Sequence, residues 1–316
     1  HRHSDGSVQP GVITEADFAA SSARIEDATT VTFRGYTIAK TGPWGQGPVL
    51  LQALKILEPL PDEQLDPSTE LGAHTILEAL KLALADRDAY YGDPLEPVDL
   101  SQLLSEEHAA GRRALIGEDA SIEHRPGAVP GLQAMAPPLV TPTEHAARFG
   151  ADLFAAGEPT VPAARGGAHG DRGDGGVGDR GNGDRANGQT GEDEETGETG
   201  ADAQGAVRGD TCHIDVVDRF GNMISATPSG GWLQSSPTVP SLGFCLGTRL
   251  QMTWLDETSP SALTPGRRPR TTLTPTLVLR DGQPIMALGS PGGDQQDQWQ
   301  LLLLLRVLVG GMSPQA

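Results

Sequence analysis

The residues best placed for covalent chemistry lie in RGDTCHIDVVD, Arg208 to Asp218. A run of Gly, Asp, Glu, Arg and Asn that no core would bury comes before it. A strand pattern then begins on a hydroxyl residue, Thr211. A hydroxyl nucleophile needs a base. A Ser-His-Asp assembly would present its serine on a strained G-x-S-x-G elbow, and the sequence contains none. The other way to activate a threonine is to cut the chain before it, so that its own α-amino group, of pKa about 7.7–8.0, takes the hydroxyl proton. A tether running straight into Thr211 has the form of such a precursor, and an ordinary strand residue after a loop has the same form. On these residues alone both readings stay open. Cys212 is a lesser nucleophile candidate. His213, expected on the same strand face as Thr211 and Asp215, is a candidate modulator of the hydroxyl and equally a hydrogen-bonded structural histidine.

A second element of possible chemistry is GSPGG, Gly289 to Gly293. Gly292 and Gly293 precede an expected helix N-terminus with Asp294 as its cap. Their backbone N–H groups could face an oxyanion, each such donor being worth about 3–4 kcal/mol of barrier; a plain glycine turn into a helix is the alternative. Other motifs carry less. The Arg-Gly-Asp triplets at Arg172 and Arg208 sit in a run whose composition produces them by chance. No Gly-Lys-Ser/Thr ends a phosphate loop, no glycine-aspartate period supports calcium binding, and His1 and His3, at a chain end, make no metal site. No metal or cofactor is expected.

The elements that must position these residues fall into three stretches. Residues 1–156 read as a short helix capped by Thr14, a strand pair turning at Arg34-Gly35, a helix in VLLQALKILE, a longer helix with Ile76, Leu77, Leu80 and Leu84 at helical spacing ended by Gly92-Asp93-Pro94, and a third helical segment from Val98 to Ile116. Residues 157–210 are an acidic, Gly-rich linker with almost no apolar side chain to repay its ordering, and disorder is expected. Residues 211–316 are β-rich. TCHIDVVD is expected to be a buried strand, returning through RFGN to MISATPS; a second hairpin turns at Asp281-Gly282; LLLLLRVLV is expected in a core helix.

Composition bounds the partners. The chain has 316 residues, 41 of them Gly and 25 Pro, without the G-X-Y period of collagen. A net charge of −19 repels nucleic acid and anionic membranes, so neither is an expected partner. Two cysteines, Cys212 and Cys245, cannot build a disulfide framework or a four-thiolate site and are expected to be reduced and buried. No apolar run reaches the length of a membrane span, no signal peptide is visible, and a cytoplasmic location is favoured. The chain opens in mid-loop without a methionine and is expected to be a fragment at both ends.

Several blocks, taken in order, resemble one family. DTCHIDVVDRFGNMISAT resembles the start of the small subunit of γ-glutamyltransferases (γ-glutamyltranspeptidases), where a Thr opens a T-x-H-x-x-V-V-D-x-x-G-N-x-V-S strand pair. PGRRPRTTLTPTLVLRDGQPIMALGSPGG resembles that family's later blocks, and PGVITEADFA, FRGYTI, TGPWGQGPVLLQALKILE and ADRDAYYGDP resemble consecutive pieces of its large subunit. The resemblance implies an α/β (α+β) fold of the N-terminal-nucleophile hydrolase kind, an αββα sandwich with antiparallel sheets between helical layers. It implies a single chain that cuts itself between Asp210 and Thr211 into a heterodimer, and Thr211 as the nucleophile that forms an acyl-enzyme with a small-molecule amide.

The resemblance also locates departures. Where the family has a Thr and an Asn after the second strand, this chain has Ser229 and Gly231. Gln251-Met252 is kept, but Trp254 stands where a carboxylate would grip the substrate's α-amino group, with Asp256 the nearest replacement. The hydroxyl pair implied to hold the α-carboxylate persists as Thr271-Thr272; the arginine completing that clamp is implied to lie upstream of His1. An acyl group with a carboxylate and no amino group, a glutaryl-type or short dicarboxylic monoamide, is therefore expected, with water as an acceptor. The competing expectation is a non-catalytic relative serving as a binding module.

Overall fold

The computed structural model describes residues 13–93, 99, 101–135, 211–230, 238–241, 243–247, 249–254 and 256–315, which belong to one compact unit. The linker expected at 157–210, Asp210 and Gly231 lie outside these residues.

Local signals set the first elements. Helix α1 (Glu15–Ala20) starts at Thr14, whose hydroxyl accepts from the Asp17 N–H while the Asp17 carboxylate accepts from the Thr14 N–H, a reciprocal cap. Strands β1 (Thr29–Phe33) and β2 (Tyr36–Lys40) pair antiparallel around Arg34, at φ 51°, and Gly35, at φ 80°. Both lie in the left-handed region that a two-residue hairpin turn needs. Helix α2 (Pro48–Leu57) opens on a proline, whose missing N–H costs nothing in a first turn, and buries every residue but Lys55. It is the centre of the helical layer, packed against α3 (Glu70–Tyr90), α4 (Glu106–Arg113) and α5 (Gln296–Leu308). Along α3, Ile76 and Leu80 are buried, but Leu77 is exposed. Helical spacing fixes a stripe, and the neighbours decide how wide a stripe is covered. The run LLLLLRVLV is the core helix expected, with Leu301, Leu304 and Leu305 buried.

The sheet is assembled from both ends of the sequence. Strands β3 (Ile214–Val217) and β4 (Met223–Ala226) form a hairpin; β5 (Thr238–Val239) and β6 (Phe244–Cys245) form a short pair; β7 (Thr276–Arg280) and β8 (Gln283–Leu288) form a third. The main sheet has the order β1-β2-β7-β8, all antiparallel, with β2 paired to β7 from Tyr36↔Arg280 to Lys40↔Thr276. The helices cover one face, while β4 lies against β8 and β7. The β3–β4 hairpin is not the buried strand pair expected: Val216 is 48% and Ile224 61% exposed. Alternation selects which side chains share a face, and burial additionally needs a layer over it. Cys212 is likewise only half-buried, and free. Among the described residues no helix is long and apolar enough to cross a membrane.

A buried ion pair lies under the β2–β7 seam. Lys40 Nζ donates to the Thr274 carbonyl at 2.8 Å, Thr276 Oγ1 at 2.7 Å and Gln300 Oε1 at 3.1 Å, and lies 3.3 Å from Asp297 Oδ1. Thr274 also donates to that carboxylate. Nearby, Asp294 pairs with Arg270 at 2.8 Å and Arg87 at 3.3 Å, so it does not cap α5 as expected. The residue before that helix is Gln295, and a carboxylate flanked by two guanidiniums gains more from them than from backbone N–H groups. The same pairing holds the Asp294 carboxyl below its ordinary range despite burial.

Burial lowers the Lys40 ammonium from 10.5 to about 8, outweighing the attraction of Asp297. Between those values the unfolded chain keeps a proton that the folded chain has released, so stability rises with pH there. Tyr90 and Tyr91, pushed up by burial, oppose it only above about 10. Urea unfolding should therefore give a free energy that increases from pH 8 to 10. Lys40→Met should remove that slope and cost about 3–5 kcal/mol at pH 7 by stranding Asp297.

Candidate active site

The hairpin turn fixes where Thr211 sits. The Asp218 carboxylate accepts from the Asn222 side chain at 2.7 Å and from the N–H groups of Asn222 and Phe220, which holds it below the usual carboxylate range. Gly221, at φ 86°, supplies the left-handed step. From this turn the register runs Val217↔Met223 to Ile214↔Ala226. One more backbone bond, Cys212 N–H to the Pro228 carbonyl at 3.1 Å, prolongs the pairing beyond the strands and places Thr211 opposite Ser229. Their hydroxyl oxygens are 2.7 Å apart. Arg249, at the head of a 3-10 turn (Arg249–Met252), donates from Nη2 to Ser229 Oγ. The hairpin and the 3-10 turn thus meet at Ser229, beside the Thr211 hydroxyl.

His213 shares a face with Asp215, as expected, and both ring nitrogens are engaged. Nδ1 lies 2.8 Å from Thr227 Oγ1 and Nε2 2.9 Å from Asp215 Oδ1, with Ser225 Oγ at 3.5 Å. Ser225 donates to the Leu288 carbonyl at 3.1 Å, tying β4 to the end of β8. There GSPGG begins, and Gly289 lies so close to the imidazole that a Cβ would come within 2.1 Å of His213 Cε1. The structure therefore brings the start of that loop against the residue two beyond Thr211. Gly292, at φ 129°, accepts from Gln296 Nε2 on its carbonyl, and the Gly293 carbonyl accepts the Gln296 N–H at 3.1 Å.

The other site candidates are more scattered. Thr271 and Thr272 are adjacent and almost wholly buried, with Thr271 Oγ1 accepting the Leu273 N–H at 3.2 Å. Of Gln251 only its backbone, in the 3-10 turn, is described. Trp254 bridges to Ala262 through backbone bonds. Asp256 accepts on Oδ1 from the Thr258 N–H at 2.9 Å and hydroxyl at 2.7 Å, closing its own turn. Among the described residues no group of three or more His, Cys, Asp or Glu could hold a metal ion. Arg249 is the residue that sequence reasoning missed. A lone arginine in a loop has no period or spacing to mark it, and only the fold reveals its contact across twenty residues.

The tight packing of Gly289 on His213 is testable. Gly289→Ala should lower Tm by about 3–6 °C, as overpacking at a close contact does. Combined with His213→Ala, which empties the space, the same change should move Tm by less than about 2 °C, measured by scanning calorimetry.

The Gamma-glutamyltranspeptidase family profile matches residues 3–147 and 183–316. The glutathione hydrolase proenzyme of Pseudomonas sp. (strain A14) is 24% identical over 318 residues, covering 96% of this chain and 43% of that protein. The solved structure of LmbA2991HD is 46% identical with a TM-score of 0.66, covering 96% of this chain and 42% of that one. The cephalosporin acylase from Bacillus halodurans, at 23% identity, shares the fold with a TM-score of 0.61 over 96% of this chain and 41% of its own. The chain thus spans about two-fifths of the length of the proteins it matches. With its helix-covered antiparallel sheet and the Thr211 hairpin beside it, the chain is a divergent member of the γ-glutamyltranspeptidase family, of the N-terminal-nucleophile hydrolase fold.

Proposed function

We propose that the protein is a self-processing amidohydrolase or acyltransferase whose nucleophile is Thr211. The observation that carries this reading is the Thr211 hydroxyl 2.7 Å from Ser229, at the head of the hairpin and directly after the linker. In the uncut chain, Thr211 Oγ1 attacks the Asp210 carbonyl carbon, the C–N bond breaks, and the acyl group moves from nitrogen to oxygen. Water then hydrolyses the ester, leaving an Asp210 carboxylate and a free Thr211 amine. That amine is the base for turnover: it takes the hydroxyl proton as Thr211 attacks a substrate amide, and returns it to the leaving amine. Water or a second amine then accepts the acyl group. The relative named a proenzyme supports this order of events. The β2–β7 pairing supports a heterodimer, since residues 1–156 and 211–316 share one sheet and stay joined after the cut.

Gly292 and Gly293 supply the N–H donors to the tetrahedral oxyanion, while Ser229, Gly231, Gln251 and the Thr271-Thr272 pair line the acyl site. The substrate is a small amide whose acyl part bears a carboxylate and no ammonium. Trp254 offers an ammonium no ion pair, and Asp256 is held in its own turn. A lost charged hydrogen bond is worth about 1.5–3 kcal/mol, so glutaryl anilide should exceed γ-glutamyl anilide in kcat/KM by about 10–100-fold.

On a denaturing gel the complete gene product should give two pieces, Thr211→Ser two pieces more slowly, and Thr211→Ala one uncut band without activity. Equal turnover by Thr211→Ala would remove the nucleophile, and an uncut, inactive wild type would favour a binding module.

A further inference from the structure

Before the cut, the Thr211 nitrogen is an amide and cannot serve as a base. Whatever assists the first attack must already stand in the intact chain. His213 is spoken for, with Thr227 on one ring nitrogen and Asp215 on the other. Among the described residues, Ser229 bonds to the Thr211 hydroxyl and Arg249 bonds to Ser229.

The direction of the Arg249–Ser229 hydrogen bond follows from its chemistry. A guanidinium has only donors, so Ser229 Oγ is the acceptor from Arg249. In the 2.7 Å contact either hydroxyl can donate, because Ser229 Oγ keeps a second lone pair after accepting from Arg249. We infer that Arg249 is a positioning residue for self-cleavage: by anchoring Ser229 Oγ it fixes the hydroxyl that holds the Thr211 oxygen in place for attack. The inference rests on Thr211 being the nucleophile.

The step balances without another reactant. The Thr211 proton passes to water as Oγ1 bonds to the Asp210 carbonyl carbon. Ser229 and Arg249 exchange no proton in this step; they hold Oγ1 in one orientation, and that orientation is what they contribute to the rate. A proton from water reaches the departing nitrogen as the C–N bond breaks. The Arg249 guanidinium bonds to Ser229 Oγ, one hydroxyl removed from the attacking oxygen.

The test is the rate at which the complete chain, made in a cell-free pulse and chased on a denaturing gel, divides in two. Arg249→Met should slow division about 10–100-fold, Arg249→Lys by less than tenfold, and Ser229→Ala to a similar extent as Arg249→Met. The decisive arm is the double variant. If Arg249 acts through Ser229, then Arg249→Met on top of Ser229→Ala should slow division by less than twofold more. Multiplying effects, or an Arg249→Met chain that divides at the wild-type rate, would overturn the inference. Melting temperatures of the uncut chains carrying Thr211→Ala with each change separate a folding defect, since a purely structural arginine would lower Tm in step with the rate. A wild type that never divides overturns the nucleophile reading and this inference with it, whereas one that divides as fast without Arg249 overturns this inference alone.

Discussion

Everything else in the structure depends on the seam between β2 and β7, and on the charge buried beneath it. Two strands separated by more than two hundred residues pair over five positions, and Lys40 at the end of one reaches under the other to Asp297. Such a pair is costly to desolvate, and every donor and most acceptors around it are used: the lysine is held by two threonines and a glutamine besides the carboxylate. It is a poor way to gain stability and a good way to fix register, because sliding β2 by one residue would leave an ammonium in an apolar layer. With the register fixed, β8 has one position, and so does the β3–β4 hairpin, which is tied to it by Ser225 and by the His213–Gly289 contact.

The seam also gives the linker its meaning. A chain proposed to be cut before Thr211 must not come apart there. Pairing β1 and β2 with β7 and β8 in one sheet meets that need. Within the hairpin, the geometry at Thr211 is set by hydrogen bonds between near neighbours in sequence, from the Asp218 turn to the Cys212–Pro228 bond. The distant contribution is Arg249, arriving from a separate turn.

What was legible in the sequence was local. The Thr14 cap, the Arg34-Gly35 and Asp281-Gly282 turns and the apolar run of α2 each carry their meaning within a dozen residues, because capping, left-handed φ and periodicity are short-range properties. What was not legible needed partners. Asp294 looked like a cap until two arginines from elsewhere claimed it. Asp256 looked free to reach a substrate until Thr258 closed a turn on it. The alternation in TCHIDVVD forecast a buried face, and nothing in that string shows whether a layer covers it. Lys40 gave no sign of its burial, since a lysine ending an edge-like strand reads as solvent-facing in isolation.

The central claim is that a peptide bond is exchanged for a base at the active residue. Intact-mass spectrometry of the complete gene product under denaturing conditions, with labelling of free α-amines, tests it most directly. The account predicts two polypeptides, the smaller beginning with an unblocked threonine at position 211. A single polypeptide that hydrolyses amides at full rate would contradict it.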